Sequence, residues 1–366
     1  MSAPSQRLLH IDTLKALAAQ LIVLHHLSVY GPISDAVHAS LPGLIDALFQ
    51  YGRMAVQVFL VVGGYLSARA LSARGGLLSG SPAELLWRRY LRLVLPFMAA
   101  IALSLASAAL VAPWLPEFEP SLPSLGALLS HALLLHGVLG QESLTVGAWY
   151  VAIDFQLFAC LLGLLWLARR ASGLPRTWRM VLGPVLVLLL CTASMFFFNH
   201  NAEWQDLAPY FFGAYGLGAM VHWMGLSRRP RLGLALLLAL GALALLLGWR
   251  ERLALALLTA ALLGVWQWQG GAIRSSATAV LARLVAHLGT HSYSLFLVHF
   301  PVCLMVNAWF AQHAPMPAWA SVMALLAAWL LSNMAAQPFH RWIEAPSSRL
   351  RFNPLAWLAP QGSPTR

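Results

Sequence analysis

Residues 231–249, RLGLALLLALGALALLLGW, contain one arginine followed by eighteen residues that are apolar or glycine. A helix of about 20 such residues is long enough to cross a hydrocarbon core of about 30 Å. Leucine and alanine dominate the stretch, and it lacks the alternation of polar and apolar positions that would favour a membrane strand. This stretch therefore predicts a transmembrane helix, and it sets the fold class of the chain.

The composition of the whole chain agrees with that interpretation. Of its 366 residues 60% are hydrophobic and only 10% are charged, whereas soluble domains contain about 25% charged residues. Cys160, Cys191 and Cys303 are odd in number and all lie in apolar runs. That pattern predicts neither a disulfide framework nor a metal site. A soluble globular domain and a secreted disulfide scaffold are both excluded.

We expect an all-α integral membrane protein, a bundle of about ten transmembrane helices with cytoplasmic N- and C-termini. The predicted spans are 11–30, 53–73, 91–112, 148–168, 180–198, 207–224, 231–249, 252–269, 287–311 and 318–339. The transmembrane domain is residues 1–345, and residues 346–366 are a short basic cytoplasmic tail.

The arginines predict the topology. With the N-terminus inside, 19 of the 22 arginines fall on the inner side and only Arg53, Arg250 and Arg252 fall outside, as the positive-inside rule requires. The net charge of +11 is then explained by cytoplasmic loops and lipid phosphates, with the lipid bilayer as a partner and no nucleic acid.

The longest loop, residues 113–147, is predicted to lie outside. Its segment 121–140 is apolar enough to suggest another span, but a crossing there would move thirteen arginines to the outer side. We therefore predict a re-entrant or surface helix at 121–140. A rim for an acceptor molecule and a solvated connector are both consistent with a loop of this length.

Ionisable side chains inside membrane spans are expensive and often functional. In the first span, IDTLKALAAQLIVLHH (11–26), Lys15 and His26 lie about 20° apart around the helix axis and about 16 Å apart along it. Asp12 lies on the same stripe, and His25 points about 100° away. The stripe predicts a functional imidazole at His26; an alternative is a buried histidine satisfied by a carbonyl, with Asp12 and Lys15 pairing at the interface.

Two later spans also carry ionisable groups. Asp154 in WYVAIDFQLF lies at a depth similar to that of His26, so the two could form a base and its orienting carboxylate; an isolated, hydroxyl-bonded aspartate is the alternative. His299 in SYSLFLVHFP precedes Pro301, which frees a helix carbonyl. His299 is therefore either a second site residue or the partner of that carbonyl.

An inner segment, WRRYLRLVLP, contributes Arg88, Arg89 and Arg92. Arginine binds phosphate bidentately, so the cluster could hold a phosphorylated donor; topological charge is the alternative. Gly63 and Gly64 are most simply packing glycines that allow helices to approach closely.

Six motifs in this order together resemble the acyltransferase family 3, the integral-membrane O-acyltransferases. They are Lys15 with His26, RMAVQVFLVVGGYL, WRRYLRLVLP, WYVAIDFQLF, LGTHSYSLFLVHFPV and RWIEAP. The sequence departs from the family pattern at Lys15, where arginine is common, at Gly63, where the family has serine, and at Asp154, where it has glutamate.

The resemblance implies transfer of an acyl group, commonly acetyl, from cytoplasmic acyl-CoA to a hydroxyl of a surface polysaccharide, exopolysaccharide or lipid-linked glycan. It implies His26, Asp154, Lys15 and His299 as catalytic residues, with His26 as general base or transient acyl carrier. Arg88, Arg89 and Arg92 would bind the acyl-CoA, and no cofactor would be bound permanently.

The protein would then lie in the inner or plasma membrane, with a polysaccharide synthesis or export complex as a further expected partner. Two other functions stay open: a glycan or lipid transporter, and a non-catalytic subunit of an export complex. Inverted repeats and paired broken helices would favour a transporter.

Overall fold

The computed structural model describes residues 9–73, 75, 77–268 and 276–350, with no side-chain detail at 276–278. All regular structure in these ranges is helical, which confirms the predicted all-α fold. Five of the predicted inner arginines and most of the predicted tail lie outside the described residues: Arg7, Arg74, Arg274, Arg351 and Arg366.

We number the α-helices of the described ranges in chain order. They are α1 Leu9–Leu27, α2 Pro32–Ser40, α3 Pro42–Ala47, α4 Val56–Leu71, α5 Pro82–Val111, α6 Leu125–Ala132, α7 Ala148–Arg170, α8 Arg176–Phe196, α9 Ala208–Gly225, α10 Pro230–Leu247, α11 Glu251–Trp268, α12 Ser276–His313, α13 Ala318–Phe339 and α14 Ala345–Ser347. Proline occupies the first turn of α2, α3, α5, α9 and α10, where its missing N–H costs nothing.

The predicted count of about ten spans is not confirmed. Within the described ranges seven helices are long and apolar enough to cross a membrane, or up to eight if the bent pair of α1 and α2 counts as one span. Each predicted span does fall on a long helix. The cytoplasmic position of both termini stays a prediction.

A bend follows the C-terminal end of α1. The axes of α1 and α2 differ by 93°, and Asn307 of α12 holds the connection. Its side-chain oxygen accepts a hydrogen bond from the Ile33 N–H at 3.0 Å, and its amide donates to the Tyr30 carbonyl at 3.3 Å. The connection between α1 and α2 is therefore fastened to α12, which packs along α1.

Two glycines bring α4 and α9 into main-chain contact. A Cβ added to Gly64 would collide with the Tyr215 carbonyl, and one added to Gly218 would collide with the Val61 carbonyl. These reciprocal contacts leave no room for a methyl group on either helix, as in other small-residue helix contacts in membranes. The packing interpretation of Gly64 is confirmed, and α4 and α9 form one closely joined pair.

The segment 121–140 contains a short helix. Only α6 is helical there, with 8 residues, and the Ser124 hydroxyl caps it by accepting from the Ala127 N–H at 3.0 Å. At about 1.5 Å per residue such a helix is about 12 Å long, much shorter than the hydrocarbon core.

Candidate active site

Two cavities lie between the helices, one toward each predicted side of the membrane. The outer cavity has a volume of about 580 Å³ and is lined by His25, His26 and the loop 143–147. The inner cavity has a volume of about 630 Å³ and is lined by Lys15, Asp154 and several basic residues. Both volumes are in the range of small-molecule binding sites.

The two histidines singled out in the sequence meet at the outer cavity. Nδ1 of His26 in α1 lies 2.8 Å from Nε2 of His299 in α12. The ring planes are within 10° of each other and the ring centroids are 4.8 Å apart. This arrangement is that of an in-plane N–H···N hydrogen bond.

The second nitrogen of His299 sets the direction of that bond. Nδ1 of His299 lies 2.7 Å from the Phe296 carbonyl, which can only accept, so Nδ1 carries the hydrogen. In neutral rings Nε2 of His299 then accepts from Nδ1–H of His26. The remaining nitrogen of His26, Nε2, is left unprotonated, which is the form that a base or nucleophile requires. The structure thus brings His299 to His26, whereas the carbonyl it bonds is that of Phe296 and not the Leu297 carbonyl that Pro301 frees.

His25 is engaged differently. Its Nδ1 lies 3.1 Å from the Leu48 carbonyl, in the π-helical turn Leu48–Gly52. This ring lines the outer cavity as well, which its position 100° from His26 did not indicate.

Part of the 113–147 loop borders the outer cavity. His131, fully buried, accepts a hydrogen bond at Nε2 from the Leu144 N–H at 3.1 Å. Its Nδ1–H donates to the Ala127 carbonyl at 2.8 Å. His131 therefore ties α6 to residues 143–147, the part of the loop that lines the cavity.

Asp154 lies at the inner cavity, and its predicted contact with His26 is not formed. The carboxylate forms an ion pair with Arg89 of α5 at 2.5 Å. The pairing expected from their similar depth fails because Asp154 lines the inner cavity, where it meets Arg89, whereas His26 lines the outer cavity. The imidazole partner of His26 is His299, and Asp154 orients Arg89.

The three arginines of α5 have different surroundings. Arg89 and Arg92 line the inner cavity, whereas Arg88 does not. The Arg88 guanidinium is about half exposed and pairs with Glu84 of its own helix at 3.5 Å. Arg88 is therefore placed away from the site, while Lys15 lies in the inner cavity and donates to the Gly289 carbonyl at 2.7 Å.

Glu344 of the RWIEAP motif completes the inner cavity. Its Oε2 accepts from the Ser294 hydroxyl at 2.5 Å and lies 3.0 Å from Nδ1 of His340. These contacts fasten the turn after α13 to α12. Within the described ranges no three His, Cys, Asp or Glu side chains converge in a way that could hold a metal ion.

A model of the acyltransferase family 3, described as an acyltransferase domain, matches residues 8–333. The chain belongs to the acyltransferase family 3. No curated protein and no solved structure matches it significantly. The family and the apolar helices support a multi-pass membrane acyltransferase.

Two aromatic rings separate the cavities of this acyltransferase. Tyr150 of α7 and Phe296 of α12 line both cavities, and their rings meet edge to face with centroids 5.4 Å apart. Gly147 backs this partition, since a Cβ there would lie 2.5 Å from Cζ of Phe296. The carbonyl of Phe296 is the partner of His299, so the partition and the histidine pair share one helical turn.

Sequence reasoning missed several residues of the two cavities. Tyr150 and Phe296 were not distinguishable from core aromatics, and Arg349 of the inner cavity was counted as topological charge. Arg53 and Arg252 of the outer cavity had a usable signal. In the predicted topology they are exceptions to the positive-inside rule, and such exceptions could have been examined as candidate ligand contacts.

Proposed function

We propose that this acyltransferase moves an acyl group, with acetyl as the expected one, from cytoplasmic acyl-CoA to a hydroxyl of a carbohydrate acceptor. The proposal is carried by one observation. A basic inner cavity and an outer cavity bearing His26 share the Tyr150–Phe296 pair as part of their lining. The family match supports acyl transfer, and acyl-CoA enters as a substrate rather than as a bound cofactor.

The inner cavity suits a phosphorylated donor. Arg92, Lys15 and Arg349 line it and supply positive charge that phosphate oxygens would balance. Arg89 is held by Asp154, so this pair fixes the geometry of the cavity wall and lowers its net charge.

The outer cavity suits the acceptor and the chemical step. Nε2 of His26 takes the proton of the acceptor hydroxyl as its oxygen attacks the thioester carbonyl. The new C–O bond forms, the C–S bond breaks with its electron pair on sulfur, and the His26 proton passes to the thiolate. If His26 is instead a transient acyl carrier, Nε2 attacks the thioester carbonyl, the C–N bond forms and the C–S bond breaks with its electron pair on sulfur. The acceptor oxygen then attacks the acyl carbon, the C–O bond forms as the C–N bond breaks, and the hydroxyl proton passes to the thiolate.

The thioester must reach His26 through the partition. Tyr150 and Phe296 line both cavities and their rings are in contact, so we expect these rings to part when the acyl-bearing arm enters. Such a closure also keeps water away from the thioester before the acceptor is in place.

The setting we propose is the inner or plasma membrane, with both termini cytoplasmic and the outer cavity facing a surface polysaccharide, exopolysaccharide or lipid-linked glycan. The arginine distribution supports this orientation. A polysaccharide synthesis or export complex would supply such an acceptor.

The test is to incubate purified protein in lipid nanodiscs with acyl-labelled CoA and a panel of glycans. Label in an ester that mild alkali cleaves, absent with His26→Ala, is the expected result. An acyl-histidine trapped without acceptor would assign the carrier route. Passage of unmodified glycan across vesicles without ester formation would overturn the proposal in favour of a transporter.

A further inference from the structure

Arg53 and Arg252 of the outer cavity are basic residues on the side of the membrane that is predicted to be mainly acidic. Of the three arginines predicted outside, Arg53 and Arg252 line this cavity and Arg250 does not. Eight of the twelve acidic residues also fall on that side: Asp35, Asp46, Glu117, Glu119, Glu142, Glu203, Asp206 and Glu251. The positive-inside rule does not require arginine on the outer side. Arg53 and Arg252 therefore need a local explanation.

The two arginines come from different parts of the chain. Arg53 begins the 3₁₀ turn Arg53–Ala55 before α4, and Arg252 lies in the first turn of α11; these segments pack against each other. Neither guanidinium has a hydrogen bond or ion pair to the rest of the described chain. Asp206 is the acidic side chain among the cavity-lining residues, so the charged lining has a net charge of +1 with histidine neutral.

Aromatic faces complete the cavity. Trp149 packs on Phe211 with ring centroids 5.6 Å apart and planes 29° from parallel, and both line the cavity with Tyr210. Broad apolar faces of this kind suit the C–H faces of a sugar ring, while arginine forks suit carboxylate or phosphate oxygens. One cavity therefore combines a base, aromatic faces and two arginines.

We infer that the acceptor is an anionic glycan whose carboxylate or phosphate is bound by Arg53 and Arg252, which presents a neighbouring hydroxyl to His26. This inference rests on the proposed function and narrows its substrate class. The oxyanion could belong to a uronic acid of the glycan or to the diphosphate of a lipid carrier.

The experiment compares matched acceptors and matched variants in nanodiscs made of uncharged lipids. The acceptors are a uronic-acid oligosaccharide, its neutral methyl ester, and one neutral glycan with and without a lipid diphosphate. The variants are Arg53→Gln, Arg252→Gln and, as the control that removes an outer arginine from outside the cavity, Arg250→Gln.

The wild-type protein is expected to favour at least one anionic acceptor over its neutral partner by tenfold or more in kcat/KM. Arg53→Gln and Arg252→Gln should each remove most of that preference, because kcat/KM for the anionic acceptor falls much more than kcat/KM for its neutral partner. Arg250→Gln should retain the preference. A preference for the uronic-acid oligosaccharide would show that the bound oxyanion is a carboxylate of the glycan. A preference for the lipid-diphosphate acceptor would show that it is the phosphate of the lipid carrier.

Two results would overturn the inference, and they differ in what they say of the proposed function. Equal use of charged and neutral acceptors, or an equal effect of Arg250→Gln, overturns anion recognition while acyl transfer stands. Absence of ester formation with every acceptor, in correctly inserted protein, overturns the proposed function together with the inference.

Discussion

Nδ1 of His26 lies 2.8 Å from Nε2 of His299, although 273 residues separate the two along the chain. The Phe296 carbonyl fixes the hydrogen of His299 on Nδ1, which leaves Nε2 of His26 unprotonated, the form that the proposed base or acyl carrier requires. Under the proposed function we expect His299 to act as a positioning residue for His26.

The histidine pair predicts a graded loss of activity. His26→Ala removes the base and should lower kcat about 10²- to 10⁴-fold. His299→Leu should lower kcat with little change in KM, whereas His299→Gln should retain more activity, because its amide can accept from His26 and donate to the Phe296 carbonyl. The measurement is acyl transfer by matched amounts of inserted protein.

His25→Asn is the comparison for that series. The His25 ring hydrogen-bonds the Leu48 carbonyl and not His299. The substitution His25→Asn should therefore lower kcat less than tenfold. A larger loss in His25→Asn than in His26→Ala would reject the assignment of His26 as the reacting imidazole.

The inner arginines predict a contrast within one helix. Arg92→Gln should raise the donor KM more than tenfold, since charge-assisted contacts to phosphate contribute about 1.5–3 kcal/mol. Arg88→Gln removes the same charge four residues away, outside the cavity, and should leave the donor KM unchanged. Equal effects of the two variants would mean that α5 acts through its general charge.

Lys15 should need its charge more than its shape. It lies in the inner cavity with its ammonium group on the Gly289 carbonyl. Lys15→Arg should retain substantial activity, and Lys15→Met should raise the donor KM by tenfold or more. Donor titration of both variants is the measurement, and equal activity in both would make Lys15 an interface anchor.

The aromatic partition predicts acyl-chain selectivity. Phe296→Ala keeps the main-chain carbonyl that orients His299 but widens the connection between the cavities. The ratio of kcat/KM for octanoyl-CoA to that for acetyl-CoA should therefore rise at least fivefold. Phe300→Ala, a change in the outer cavity one turn further along α12, serves as the control. An unchanged ratio in Phe296→Ala would show that the acyl group travels elsewhere.

Acid should loosen the 113–147 loop. Burial, with the neighbouring His131 ring next, lowers the pKa of His136 to about 4, and burial also lowers the pKa of His131. A group whose pKa is depressed by folding contributes full stability above its unfolded pKa of about 6.5 and loses it as pH falls toward 4. The melting temperature should drop by several degrees between pH 7 and pH 5, and less so in His136→Asn. If the melting temperature fell equally with pH in the wild type and in His136→Asn, protonation of His136 would not be the cause of the acid sensitivity.

Apolar run lengths were enough to predict the helices. The fourth predicted span, 148–168, is α7, Ala148–Arg170, and the eighth, 252–269, is α11. Helix ends outside the apolar core were missed: α5 begins at Pro82 rather than at 91. Helical hydrogen bonding continues through polar turns that hydropathy assigns to loops.

The site was predictable only within single helices. The spacing of 100° per residue placed Lys15 and His26 on one stripe of α1, and they line the inner and outer cavities. The pairs His26–His299 and Arg89–Asp154 join different helices. Hydropathy does not encode which helices are neighbours, so these partners needed the fold.

The glycine contact between α4 and α9 has a consequence for inhibition. Because their main chains touch at Gly64 and Gly218, a relative shift of these helices would disrupt that contact. In the proposed mechanism we therefore expect the movement that admits the thioester to come from the Tyr150 and Phe296 rings on α7 and α12. A small hydrophobic compound bound between those two rings would then inhibit acyl transfer by blocking passage between the cavities, without resembling either substrate. A compound seated against α4 and α9 would have to outcompete the donor or the acceptor directly.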